Sequence, residues 1–265
     1  HHVLHRGPLK PVHDAVDAAL APDGVPAGRA NFFDQAAKFD LTFHLAPRGM
    51  EYPRREMPAT IRFVGPLRAE PTGDVRRPGW WADLNGGRPV VHVTQGTLDN
   101  LDPDRLLVPT IRGLAGENVL TVASTGGRPV GHLRERLGGR LPENLRVAEF
   151  LPYDDLLPRT DVMVTNGGFG GVQRARLHGV PLVVAGATED KPEVVARVAW
   201  SGSGLNLRTG SPSPRRVRRA VRAVLRDRRY AAQADRLRRE IQALGDPAEV
   251  IAAVLDVRSA VGCPD

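Results

Sequence analysis

Between Val90 and Leu207 the chain repeats one pattern: a short, nearly all-apolar run, a turn, then residues with helical periodicity. The runs are Val90–Val93, Val119–Ala123, Leu145–Leu151, Val162–Val164 and Leu182–Ala185, with Leu205–Leu207 as a last short strand. A strand with one wet face alternates apolar and polar residues; these do not alternate, so they call for cover on both faces. Intervening segments can supply it. Leu106, Leu107, Ile111 and Leu114 fall on one helical stripe, and a helical turn follows at Asp154–Leu157. Further helices start near Val172 and at Pro192, a residue suited to a first helical turn, with Val195, Val198 and Ala199 facing inward. Buried strands alternating with helices predict a parallel sheet with right-handed crossovers, an α/β doubly wound, Rossmann-like domain. Helices alone follow. One starts at Ser213-Pro214 and carries Val217, Ala220, Val221, Val224 and Leu225; Asp246-Pro247-Ala248-Glu249, related to a capping box, opens a last one.

The N-terminal third is less complete. Helical spacing covers Pro11–Leu20, a short helix is expected near Asn31–Ala37, and Leu41–Leu45 and Ile61–Val64 read as strands. Two helices and two strands are too little to close a core, so residues 1–67 read as part of a larger unit. Residues 68–88 mix Pro, Gly and charge without period and read as a linker, with Trp80 and Trp81 pinning it to a domain surface. Residues 89–265 form the regular domain.

Composition narrows the class. Apolar residues make up 41% of 265, enough for a sizeable core. No run approaches the roughly 20 residues of a membrane-spanning helix, and His1–Arg6 offers no apolar signal segment. Cys263 is the single cysteine, which suits a reducing cytoplasm. The net charge of +7 is local: Leu205–Glu240 holds twelve Arg against Asp227, Asp235 and Glu240, leaving the rest slightly acidic. Only three of the 37 basic residues are lysine, a bias that GC-rich coding produces. These arginines read as a solvated helix face, with a nucleic-acid surface as the remote alternative.

Ligands of open α/β sheets bind beyond the carboxyl ends of the strands. Three ends here carry chemistry. Thr94-Gln95-Gly96-Thr97 offers hydroxyls and a glycine that lets backbone approach a phosphate. Phe150-Leu151-Pro152-Tyr153 can receive a flat base. Asn166–Gly171 is nearly all Gly and Asn, and the helix behind it presents its N-terminus to an anion. Beside it, Thr188-Glu189-Asp190-Lys191 brings two carboxylates suited to hydroxyls. A nicotinamide fingerprint is incomplete, since Gln173 stands three past Gly170 and the loop lies late in the sheet. No Lys-Ser or Lys-Thr follows a glycine loop, no nucleophile elbow is present, and no His and Cys pair at metal-ligand spacing. His92 reads as a hydrogen-bonded core residue and His178 as the end of a helix.

The blocks IRFVGPL, WWADL-x-x-GRPVVHVTQGT, LPYDDLLPRTDVMVTNGGFGGVQ, HGVPLVVAG and TEDKPEVVARVAW run in order from Ile61 to Trp200. Together they resemble GT-B fold UDP-glycosyltransferase-like enzymes, the bacterial macrolide, polyketide and sterol type. The resemblance implies an inverting, metal-independent hexosyltransferase without cofactor, using a UDP- or TDP-sugar and a hydroxyl of a small-molecule or lipid acceptor. This chain supplies mainly the donor-binding half, and residues 1–67 are the remnant of an acceptor domain. By the same resemblance Gln95, Gly96, Thr97, Asn166, Gly168, Gly170 and Gly171 line the diphosphate, and Phe150, Leu151 and Pro152 face the base. Glu189, Asp190 and Lys191 hold the sugar. Arg174 stands where the family has a glutamate receiving ribose hydroxyls; a cation cannot accept those bonds, so the ribose is held otherwise or the donor is bound more weakly. The family's general base, a histidine of the N-terminal domain, has no counterpart among His1, His2, His5, His13 and His44. Two alternatives stay open, a non-catalytic nucleotide-sugar-binding or partner module and, remotely, a basic nucleic-acid-binding protein; against a neighbouring nucleotide-hexose epimerase, the acidic loop favours transfer.

Overall fold

The computed structural model describes residues 10–24, 39, 41–66, 75–244 and 252. The helices expected at Asn31–Ala37 and from Asp246, and the linker over 68–74, lie outside the described residues.

Contacts divide the chain into two units. In the smaller, helix α1 (Lys10–Leu20) buries none of its residues, while strands β1 (Thr42–His44) and β2 (Ile61–Phe63) pair in parallel. His44 stacks on Phe63 across that pair, with centroids 4.9 Å apart.

The larger unit includes Ala46–Pro53, a segment that precedes the expected linker. Apolar packing explains this, because Ala46 and Met50 are buried with Leu237. Its core is a six-stranded parallel sheet in the order β5-β4-β3-β6-β7-β8. The strands are β3 (Val90–Thr94), β4 (Leu120–Ser124), β5 (Leu145–Ala148), β6 (Val162–Thr165), β7 (Leu182–Val184) and β8 (Gly204–Asn206). Chain order reverses between β3 and β6, where Val93 lies opposite Val164. That is the topological switch point of a doubly wound sheet.

Side chains alternate between two covered faces. Val91, Val93, Val162, Val164 and Val183 pack with α2 (Leu107–Leu114) and α7 (Pro214–Arg226). Met163, Leu182 and Val184 pack with α5 (Phe169–Leu177) and α6 (Lys191–Trp200). Short helices α3 (Val130–Arg136) and α4 (Tyr153–Leu156) follow β4 and β5, and α8 (Arg228–Ala243) comes last. Helix α3 had no counterpart in the sequence reading, although Val130, Leu133 and Leu137 recur at i, i+3 and i+7. Trp80 and Trp81 stack at 6.1 Å and pack beside Leu84 and Val90, pinning their segment to the domain.

Candidate functional site

A cleft of about 550 Å³ opens at the switch point. It is lined by the ends of β3 (Thr94, Gly96, Thr97), β4 (Ser124, Gly126) and β6 (Thr165, Asn166), together with Gly168, Gly171, Arg174 and the Glu149–Asp155 stretch. This is ample for a small ligand of nucleotide size.

The β6 turn is shaped by its backbone. Gly167 has φ +82°, and a Cβ there would lie 2.4 Å from Val195 Cγ1, so both conformation and space exclude a side chain. Asn166 is buried; its amide donates to Gln95 O at 2.7 Å, and its Oδ1 accepts from Gly168 N at 3.4 Å. Gly168 then caps α5 without any side-chain partner. The first amides of a helix lack intrahelical acceptors, so this end presents free N–H donors and a positive dipole end to the cleft.

The β3 turn is held differently. Gln95 is buried and does not line the cleft. Its Nε2 donates to Asp102 O at 2.9 Å, and its Oε1 accepts from Leu107 N at 3.0 Å, fixing the loop to the start of α2. Asn100, absent from the sequence reading, ties this turn to the next by donating to the carbonyls of Gly96, Thr125 and Gly126. At Gly126, φ is +66° and a Cβ would meet Gly96 O at 2.0 Å, so the two turns close together only with glycine there.

The floor is polar, with Thr94 and Ser124 buried. Tyr153 is hydrogen-bonded to the Thr94 and Ser124 side chains, and burial pushes its phenol above the ordinary range. Behind it His92 donates from Nδ1 to Val122 O at 2.9 Å and accepts the Tyr153 hydroxyl at Nε2, 3.0 Å away. Burial lowers the His92 pKa to about 4, against the weaker opposing effect of the Val122 bond, so the imidazole is neutral. Phe150 is half exposed at the cleft, its ring beside Gly127, where a Cβ would lie 2.8 Å from Cζ.

At the rim Arg174 donates to Asp154 Oδ2 at 3.3 Å, and His178 Nε2 lies 3.2 Å from Asp154 Oδ1. Asp154, which the sequence reading did not single out, thus carries a carboxylate at the position where Arg174 brings a cation. Its signal was present in Tyr153-Asp154-Asp155, an acidic first helical turn.

The acidic loop lies elsewhere: Glu189, Asp190 and Lys191 are not among the residues lining this cleft, nor is Gly170. Lys191 is buried and pairs with Asp99 at 3.1 Å and with Glu189. Burial pulls its ammonium down, but the hydrogen bonds it donates to Glu189 and Asp99 outweigh that and hold the pKa above the ordinary lysine value. Asp99, partly desolvated, is correspondingly held below the usual carboxylate range by Lys191 and Arg105. Asp190 is exposed and Glu189 sits at φ +57°.

Several arginines of the basic segment are internally paired. Arg222 grips Glu117 at 2.7 and 2.9 Å, Arg229 pairs with Asp227, and Arg238 with Asp235.

Sheet order and a cleft at the switch point define a Rossmann-like, doubly wound domain. The profile of the "Erythromycin biosynthesis protein CIII-like, C-terminal domain" family matches residues 130–257. The 4'-demethylrebeccamycin synthase of Lentzea aerocolonigenes is 50% identical over 221 residues, 83% of this chain and 51% of that protein. The calicheamicin glycosyltransferase CalG4 superposes with TM-score 0.74 at 24% identity, covering 97% of this chain and 61% of the other. Glycosyltransferase VinC, solved in complex with DTDP, gives TM-score 0.62 at 26% identity over 83% of this chain and 52% of its own. Over most of its length the chain is similar to UDP-glycosyltransferase-like proteins of the GT-B kind. It spans about half the length of the curated relatives it matches.

Proposed function

We propose that the chain is the donor-binding part of a glycosyltransferase that moves a hexose from a UDP- or TDP-sugar to a hydroxyl of a small-molecule or lipid acceptor. The observation that carries this reading is the uncapped N-terminus of α5, opening through Asn166–Gly168 into a cleft with an aromatic wall at Phe150. The diphosphate sits against the amides of Gly168 and Gly171, near the Gly96 and Thr97 backbone. The base lies by Phe150, Leu151 and Pro152. The sugar extends toward Glu189 and Asp190, with Lys191 holding their loop to Asp99.

In transfer, an acceptor oxygen attacks the anomeric carbon as the bond to the diphosphate breaks, inverting that centre. Negative charge grows on the departing diphosphate, and preorganised amides at a helix end stabilise it without reorganising. Gln95 acts indirectly, by fixing the β3 turn. No histidine lines the cleft among the described residues, so deprotonation of the acceptor is assigned to a group outside them. A reducing cytoplasm suits the single cysteine.

Calorimetric titration of the 265-residue chain with UDP, TDP and their glucose conjugates tests the reading. Dissociation constants at or below the millimolar range support it; no heat at millimolar ligand would sink it.

A further inference from the structure

The Arg174–Asp154–His178 group has a chemistry that the phosphate end of the cleft does not explain. Arg174 lies six residues past Gly168 along α5, about 9 Å from the anion-binding end at 1.5 Å per residue. The carboxylate that Arg174 holds would repel a phosphate at the helix N-terminus and so does not serve it. It is nevertheless held from two sides: Arg174 on Oδ2 at 3.3 Å and His178 on Oδ1 at 3.2 Å. The carboxylate lines the cleft and stays about half exposed, with its side chain at 52%. Each carboxylate oxygen has two lone pairs, so one bond apiece leaves acceptor capacity facing the opening. Phe150 to Tyr153, which lead directly into Asp154 along the chain, line the same cleft. The group therefore shares one cleft with an aromatic wall and the anion end, and a ligand that joins a flat ring to a phosphate through vicinal hydroxyls would bring those hydroxyls to it.

We infer that Asp154 receives the ribose hydroxyls of a nucleoside diphosphate, and that Arg174 and His178 are positioning residues that aim its carboxylate. Arg174 then does not oppose ribose binding. It neutralises and orients the acceptor carried on the facing turn. The inference rests on the proposed donor site and assigns that site a ribose-specific contact.

The test uses free UDP, which carries no transferred sugar, against 2′,3′-dideoxy-UDP. A hydrogen bond to a charged group contributes roughly 1.5–3 kcal/mol, so native chain should favour UDP by about tenfold or more. Asp154→Asn should bring the ratio near one while binding of the dideoxy analogue stays within about twofold. Arg174→Gln, which frees the carboxylate without removing it, should lower the ratio partly, a change that a purely structural role would not produce. Thermal unfolding of each variant checks that it is folded; Asp154→Ala provides a second variant with the same expected ratio. An undiminished UDP preference in both Asp154 variants, or no preference in native chain, would overturn the inference while leaving the donor site standing. Failure of native chain to bind either nucleotide would overturn the donor site itself.

Discussion

Two neighbouring units of one sheet, β6–α5 and β7–α6, start alike and end differently. Each has a fully buried apolar strand, a polar turn and a helix, and each helix buries one cation. In the first unit the turn works through backbone: Gly167 and Gly168 open the helix end to the cleft, and the buried cation, Arg176, has no hydrogen-bond partner on any of its three nitrogens. In the second the turn works through side chains: Lys191 gathers Asp99, Glu189 and Thr188. Burial alone pushes Arg176 down to about 9, whereas its partners raise Lys191 despite burial. A glycine turn shows its purpose locally. A charged turn takes its meaning from whatever the fold brings opposite it.

The largest expected effect breaks the first unit. Gly167→Ala must adopt φ +82° and displace Val195, so a loss of about 3 kcal/mol is expected in denaturant melts, along with nucleotide affinity. Gly168→Ala has room, its nearest atom being Asn166 Oδ1 at 3.7 Å, and should leave stability within about 1 kcal/mol while weakening UDP. Equal stability losses would remove the distinction between conformational and ligand-facing glycines.

Acid probes the floor beneath both units. His92 is neutral when folded, its pKa about 4 against 6.5 unfolded, so the unfolded chain binds the extra proton between these values. Stability should therefore fall by about 3 kcal/mol as pH drops from 6.5 to 4. The Asp99 contribution has the depressed-carboxylate sign and is lost only below the unfolded carboxylate pKa. Urea melts across pH should show the upper window removed in His92→Asn and the lower one kept.

Two substitutions of buried cations should have opposite signs. Arg176→Met replaces an unpartnered charge with an apolar side chain of similar reach and should raise stability by about 1–4 kcal/mol. Lys191→Met leaves Asp99 partly exposed and still paired with Arg105 at 2.8 Å, so about 1–2 kcal/mol should be lost. Matching signs would mean that partners do not distinguish the two units. The smallest effect is Glu189→Gln, a change at a 62% exposed carboxylate that should move stability by less than about 0.5 kcal/mol.

How much was legible in the sequence follows the same division. The sheet could be read because unbroken runs such as Val162–Val164 have one use in a fold. The glycine turn could be read because only glycine satisfies its backbone. Helix α3 was missed because seven residues with only Leu133 buried give a weak period. Gln95 is a donor and acceptor in a loop, and nothing local shows that Asp102 and Leu107 consume both ends. Asp154 and Arg174 stand twenty residues apart, and Lys191 and Asp99 ninety-two, so those pairings exist only once the sheet is assembled.

The central claim is that backbone amides of the β6 turn and the first turn of α5 hold a diphosphate. Amide chemical shifts of isotopically labelled chain, followed during UDP addition, test it most directly. Saturable shifts are expected to be largest at Gly168 and Gly171, smaller near Gly96 and Thr97, and absent along the arginines of α7. Saturable shifts centred on Arg215–Arg226 with the glycine amides unmoved would contradict it.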